Sequence, residues 1–394
     1  MNRRLGNFIN VVAIFLSIIA IWAMAFFGLP IDLPIDKALA TVATVFESQA
    51  IPNTFSTTTK ISIADPLKLT WRQVDPNLIK FPGRDSHATY QFNGQLFLTG
   101  GLDAKDTMKN KMPVYEKAQY FNDIWSTTDG QNWQLTKARA EFPPFRSASV
   151  VEFKGSLYLF GGWSPVVGYK TGVWQSTDGL KWIKIAPASF EEREGQKVVV
   201  FDDKLWLIGG VNYDQKKTFN DVWVSADAVS WRQVVKNAPW HSRWDHDIAV
   251  FNNKIWLVGG MNFNGVGYGD EWYSLDGKEW QLATSSALWG KRQGQSLLVW
   301  DDSLWLVSGL DAKTNEGAGD TWFSNNGLDW NKTEVDGTWP GREDHETVIF
   351  KDKIFVIGGM SDDWEWLNDV WWAPMPKREV SVTTTSVLST SDKK

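Results

Sequence analysis

The chain of 394 residues contains no cysteine. That rules out disulfides, thiolate metal sites and cysteine nucleophiles in one stroke. Histidine is almost as scarce, with four residues, and tyrosine is held to eight. No run of lysine or arginine occurs, and the net charge is −6. A nucleic-acid surface is therefore disfavoured, because phosphate binding needs a basic stripe or patch. Ser-His-Asp sets, nucleotide-binding glycine loops and paired metal motifs are also missing from the pattern of residues. Long apolar runs are limited to one, from Phe8 to Leu29.

Tryptophan, by contrast, is abundant, with 25 residues. One of them marks a period: it returns at 133, 182, 231, 280 and 330, at spacings of 49, 49, 49 and 50 residues. A recurrence of this length indicates a repeat architecture, in which each unit buries its apolar face only against its neighbours. From about residue 69 to 375 the module can be written as four strands, a to d. Strand a follows an arginine and ends on an aromatic residue, and a two-residue turn such as Asn93-Gly94 or Asp202-Asp203 leads into strand b. Strand b closes on a glycine pair at 100–101, 161–162, 209–210, 259–260 and 358–359, with Ser308-Gly309 in the fifth module. Strand c carries Trp125, Trp174, Trp223, Trp272, Trp322 or Trp371, an S-x-D-G type turn follows (Ser176 to Gly179), and strand d holds the period-marking tryptophan.

The module count leaves one strand d too many at the front, around Trp71, and one too few at the back, after Trp371. If the Trp71 segment completes the sixth unit, the ring closes and no open sheet edge remains. The glycine pair and the two tryptophans at this spacing resemble kelch repeats. The resemblance covers about three quarters of the chain and implies an all-β, six-bladed kelch-type β-propeller closed by the N-terminal strand. It departs from the family where kelch blades often place tyrosine after strand c and this chain has serine. The S-x-D-G-x-x-W turn is also similar to the Asp-box of sialidases, with one residue fewer between Asp and Trp. The absence of cysteine excludes the Cys–Tyr cofactor of galactose oxidase, and no other cofactor is implied.

The expected domain plan is a cytoplasmic tip and anchor over 1–30, a linker over 31–66, the propeller over 67–376 and a disordered tail over 377–394. Twenty-two nearly uncharged residues, 8 to 29, suffice to cross a bilayer core of roughly 30 Å. Arg3 and Arg4 before them place the propeller on the extracytoplasmic side. Ala23-Met24-Ala25 has the form of a signal-peptide cleavage site, but the apolar run continues past it, which favours a transmembrane signal anchor over a secreted or periplasmic product.

The a–b and c–d connections are short everywhere, so the b–c and d–a loops form the varied face, where binding residues usually sit. The longest loop, Leu102 to Phe121, carries Lys105, Lys109, Lys111 and Lys117. Two rings recur at the expected mouth of this face. One is aromatic: Phe81, Phe142, Phe190, Trp240, Trp289 and Trp339. The other is Arg84, Arg193, Arg243, Arg292 and Arg342. Each arginine has a candidate structural partner at the start of strand c, namely Asp123, Asp221, Asp270, Asp320 and Asp369. Blade two has Phe145 at the arginine position and Gly172 at the aspartate position, a joint loss that suits a structural pair. Its arginine, Arg146, is displaced one residue along the strand and so should face the opposite way. Arg146 is the ligand-binding candidate of choice, with the non-repeating aromatics Trp163, Trp244, Trp364 and Trp366. His87, His246 and His345 share a repeat position that carries glutamine in two other blades, which suggests hydrogen bonding and no metal site.

The expected function is a membrane-tethered binding module, with no catalytic residues, that holds a protein or carbohydrate on the long-loop face. The alternative is an enzyme on sugar acids, similar to six-bladed sialidases or sialate mutarotases. That reading needs arginines free to grip a carboxylate beside acids such as Glu192, Glu194, Asp245 and Glu343, and a Tyr–Glu pair near the axis. The tyrosines show no recurring or axial placement that would supply it.

Overall fold

The structure is a computed structural model, which describes residues 60–62, 68–376 apart from 111, 312, 313, 315 and 338, and 381–383. Six antiparallel sheets succeed one another along the chain, five of four strands and the first of five. In blade one strand a is Asp85–Phe92, b is Gln95–Asp103, c is Ile124–Thr127 and d is Gln134–Lys137, and the short Gln119–Tyr120 adds to the end of strand b. The described residues contain strands and short 3-10 turns but no α-helix. The apolar run 8–29 lies outside the described residues, and among those described no helix is long and apolar enough to cross a membrane.

The ring closes as the strand count requires. Arg72–Gln73 pairs with Val370–Pro374, with Arg72 opposite Trp372 and Gln73 opposite Trp371, and so supplies strand d of blade six. The preceding residues add a link that the strand count does not foresee: Lys68–Thr70 pairs in parallel with Glu334–Asp336, which follows strand d of blade five. Trp71 is buried between them, edge-on to Trp339 at 5.4 Å. Lys60–Ser62 and Ser381–Thr383, in segments read from sequence as linker and tail, form a separate two-stranded antiparallel pair.

The tryptophans pack where neighbouring blades meet. In successive blades the d–a aromatic stands edge-on to the strand-d tryptophan: Phe81 to Trp133, Phe142 to Trp182, Phe190 to Trp231 and Trp240 to Trp280, with centroids 5.6–5.9 Å apart. Such pairs add specific geometry to a large buried area. The aromatic ring expected at the mouth is thus buried between blades instead. The c–d turns hold themselves: the Asp178 carboxylate accepts the amides of Leu180 and Lys181 at 2.8 and 2.7 Å, and Ser176 Oγ accepts that of Gly179 at 2.9 Å.

One scaffold position departs from its repeat. Strand c starts with Ile124, Val173, Val222 and Val370 in four blades and with Thr321 in blade five, but with Glu271 in blade four. Glu271 is fully buried, and the indoles of Trp330 and Trp289 face it without closing a hydrogen bond. Burial pushes its carboxyl up to about 8. Its folded value thus lies above its unfolded one, so its contribution to stability is present at low pH and lost as pH rises from about 4.5 towards 8. Glu271→Gln should remove one proton from that dependence. Urea unfolding between pH 5 and 8 should then show a slope for the variant less negative than that of the parent by about 1.4 kcal/mol per pH unit. Parallel lines would contradict the assignment.

Candidate functional site

Five blades share one construction beneath the mouth. Each ring arginine is buried and grips the aspartate at the start of strand c with both terminal nitrogens or one: Arg84 on Asp123 (2.8 and 2.9 Å), Arg193 on Asp221 (2.5 and 2.9 Å), Arg243 on Asp270 (2.7 and 2.8 Å), Arg342 on Asp369 (2.5 and 3.0 Å) and Arg292 on Asp320 (2.8 Å). The same guanidinium donates to the carbonyl of the first residue of the glycine pair, as Arg243 does to Gly259 at 2.8 Å. The aspartate also accepts the indole N–H of the strand-c tryptophan, as Asp270 does from Trp272 at 2.8 Å. These arginines are therefore committed to the scaffold.

Blade two solves the same problem without charge. Phe145 fills the arginine space, 1% exposed, and Thr171 Oγ1 donates to the Gly161 carbonyl at 2.6 Å in place of the guanidinium. Trp174, with no aspartate to serve, donates to the carbonyl of Thr171 at 2.8 Å. Arg146 is left one residue further on.

That next position is the site. In blade order it holds Asp85, Arg146, Glu194, Trp244, Gln293 and Glu343. Because side chains alternate along an extended strand, the residue after a buried arginine projects the other way. Each of these residues bridges to the residue that follows the glycine pair: Asp85 to Leu102, Arg146 to Trp163, Glu194 to Val211, Trp244 to Met261, Gln293 to Leu310 and Glu343 to Met360. The second glycine permits this stacking. At Gly101, whose φ is +87°, a Cβ would lie 2.5 Å from the Asp85 carbonyl oxygen. One residue further, Ser86, Ser147, Gly195, Asp245, Gly294 and Asp344 form a neck with positive φ. Five backbone hydrogen bonds join adjacent neck residues, such as Ser86 N to Asp344 O at 2.9 Å and Ser147 N to Ser86 O at 2.8 Å.

Above the neck lies a cavity of about 420 Å³. Arg146 stands in its wall, its Nε and Nη2 donating to Glu194 at 2.7 and 3.0 Å and its guanidinium 5.1–5.7 Å from the rings of Tyr115, Trp163 and Tyr213. Trp163, Trp244 and Trp364 line the cavity and are half-buried. Trp364 has φ +61°, a left-handed backbone that a bulky residue rarely adopts and that points to a functional constraint. Trp366, expected to be a ligand aromatic, is buried. It packs on Leu102, Ala104 and Met360, and its indole donates to Asp85 Oδ2 at 3.0 Å. The lysine-rich loop folds into two 3-10 turns, Lys105–Thr107 and Tyr115–Lys117, and the second delivers Tyr115 and Glu116 to the cavity.

Sequence reasoning missed the three tyrosines, because Tyr115, Tyr169 and Tyr213 come from three unlike loops. It also missed Asp85 and Asp344. A signal was available: a column that varies freely beside an otherwise constant arginine.

The acids crowd one another. Burial, then the nearby charges of Asp344 and Glu343, raise the Asp85 carboxyl well above its usual range, and burial with the same two neighbours raises Asp245. Burial and Asp344 push Glu343 up to about 8, against the hydrogen bond from Gln293. Below the neck the channel holds Lys197, 3.4 Å from Asp247. Burial opposes its charge, but Asp247, Glu346, Asp344 and Asp245 outweigh it and hold the ammonium above its usual value. Burial pushes Glu346 up to about 7. The buried imidazoles of His87 and His246 face the carbonyls of Ile357 and Ile208 on preceding blades, and burial lowers both, His87 to about 3. Gln196 and Gln295 donate to the equivalent carbonyls of Phe160 and Val258 at 3.0 Å. No three His, Asp or Glu among the described residues are placed to hold a metal ion.

A hydroxyl–carboxylate pair of the type a sialidase would need is present after all, with Tyr169 Oη donating to Glu194 at 3.3 Å. Yet one arginine lines the cavity among the described residues, and it is already paired. Burial raises the Tyr169 phenol, which disfavours the phenolate.

A family model described as the KLHDC2/KLHL20/DRC7 Kelch-repeats domain matches residues 49–260 and 195–391. The chain belongs to the kelch-repeat family. Kelch propellers are generally protein-binding modules. Kelch repeat protein M-T8 of Myxoma virus (strain Lausanne) is similar, 26% identical over 215 residues, a match that covers 43% of this chain and 39% of that protein's length. The solved structure titled "Structure of YjhT" resembles the kelch chain with a TM-score of 0.57 at 15% identity, covering 74% of this chain and 94% of the other, a likeness of fold.

Proposed function

We propose that the protein is a membrane-tethered binding module that holds a segment of a partner protein in the mouth cavity, on the extracytoplasmic side. The observation that carries this is the contrast between two adjacent repeat positions. The arginine column is the same in five blades and internally paired, whereas the next column is chemically varied and contributes five of its six residues to a cavity walled by non-repeating aromatics. Half-buried tryptophans on a rigid rim suit anchoring contacts with a partner. The same rings would suit stacking on a glycan. The family's general use favours protein, and the single, already paired arginine makes the sugar-acid reading the weaker one.

A photo-reactive benzoylphenylalanine at position 364, on the cavity, should give a discrete protein adduct in cells. The same residue at position 275, in an exposed c–d turn of the opposite face, should give none. Equal adducts from both positions, or adducts from 275 alone, would overturn the assignment of the working face. Support for the tether comes from residues 8–29 and from Arg3 and Arg4. The full chain should stay with membranes through alkaline carbonate extraction and keep its N-terminus. A mature protein that starts after Ala25 and washes off would contradict the anchor.

A further inference from the structure

We infer that the mouth cavity receives an organic cation, an alkylammonium or a guanidinium. Resting on the protein-binding reading, this makes the captured group a lysine or arginine side chain of the partner's segment.

The acidic lining favours one sign of guest. Six acidic side chains line the cavity, Asp85, Glu116, Asp214, Asp245, Glu343 and Asp344, against one guanidinium, and a cation would draw off the protons that their crowding retains when no guest is bound. The charge of Arg146 is already met by Glu194, which is itself buried. A carboxylate or phosphate guest would add like charge to a site whose acids already repel one another, while a cation would relieve that repulsion. Independently of this excess, two buried polar atoms of the lining have no partner, the Trp244 indole N–H and one oxygen of Asp85. Asp85 is 3% exposed, Trp366 occupies its Oδ2, and its Oδ1 accepts no hydrogen bond. A buried carboxylate oxygen left unmatched is costly, and an N–H donor from a guest would satisfy it.

The walls decide the kind of cation. Trp163, Trp244, Trp364, Tyr115 and Tyr213 line the space, and the faces of aromatic rings attract ammonium and guanidinium groups. The chain supplies its own example, since the Arg146 guanidinium lies against Tyr115, Trp163 and Tyr213. A chelated metal ion fits less well, because no three carboxylates or imidazoles among the described residues converge on one point. Met261 and Met360 complete a lining with apolar surface for an alkyl stem.

The test uses the full chain and small probes, followed by saturation-transfer NMR. n-Butylguanidinium and tetramethylammonium should show transfer at millimolar concentration, while n-butyrate and N-acetylneuraminate should not. Asp85→Asn and Glu343→Gln keep the shape of each side chain, and each should weaken n-butylguanidinium by about tenfold. Stronger binding of n-butyrate than of n-butylguanidinium by the parent protein would overturn the inference, and this arm does not depend on any variant folding. So would cation binding that neither variant changes, or displacement of n-butylguanidinium by calcium at lower concentration than by tetramethylammonium. If the cations fail but adducts from position 364 persist, the charge assignment falls and the protein-binding reading stands. If the cations bind and no adduct forms, the protein-binding reading falls alone.

Discussion

Asp270→Ala lowers the unfolding free energy by about 3–5 kcal/mol, although the residue lines neither the mouth cavity nor the channel below it. Its partner Arg243 is fully buried, with Nη1 on Asp270 Oδ1 and the Gly259 carbonyl and Nη2 on Asp270 Oδ2. Removing the aspartate leaves a guanidinium in the core with only the carbonyls of His241 and Gly259 as acceptors and no counter-charge, and the indole N–H of Trp272 loses its acceptor as well. The size of the loss comes from the uncompensated charge, not from the worth of the pair. Arg243→Met with Asp270→Ala should therefore recover most of it, because blade two shows that an apolar residue can fill this space. Urea unfolding of the three proteins measures this. A loss below about 1 kcal/mol for the single variant, or a double variant worse than the single, would show that the ring is not a set of obligate pairs.

A chain without residues 68–73 fails to fold. Those residues bury Leu69 and Trp71, which pack with Trp305, Trp339 and Ile354 between the last two blades. The loss of a buried leucine and a buried tryptophan together costs roughly 5–10 kcal/mol, comparable with the whole stability of a typical domain. Deletion also uncovers the edge of Val370–Pro374, which otherwise pairs with Arg72 and Gln73, and an uncovered edge invites association with other chains. Size-exclusion chromatography and circular dichroism should show aggregates or loss of a cooperative melt. A monomer melting within about 5 °C of the parent would mean the ring does not depend on its closing strand.

Much of this architecture is legible in the residues because repeats make errors visible. The spare tryptophan at 71 and the missing strand after 371 define the closure. The joint absence of arginine and aspartate in blade two marks the pair in the other five. What stays hidden depends on contacts with no period. Trp366 looks like Trp364 in sequence, two residues away in one loop. It is buried because Asp85, at the other end of the chain, offers its indole an acceptor across the ring seam. Tyr115, Tyr169 and Tyr213 converge only because three unlike loops fold over the same neck. Glu271 sits in a buried column of Ile124, Val173, Val222, Thr321 and Val370, and its burial follows from the column. The most informative column, the residue after each arginine, carries no period to mark it. A position kept free to vary beside a fixed one is where a shared scaffold acquires a particular ligand.

Recognition by this protein requires that column to face a guest. Crosslinking through benzoylphenylalanine at position 364 in the presence of rising n-butylguanidinium tests this most directly. The adduct should fade with the cation and stay constant in matched n-butyrate. An adduct indifferent to both, or one suppressed by n-butyrate alone, would place recognition elsewhere on the disc.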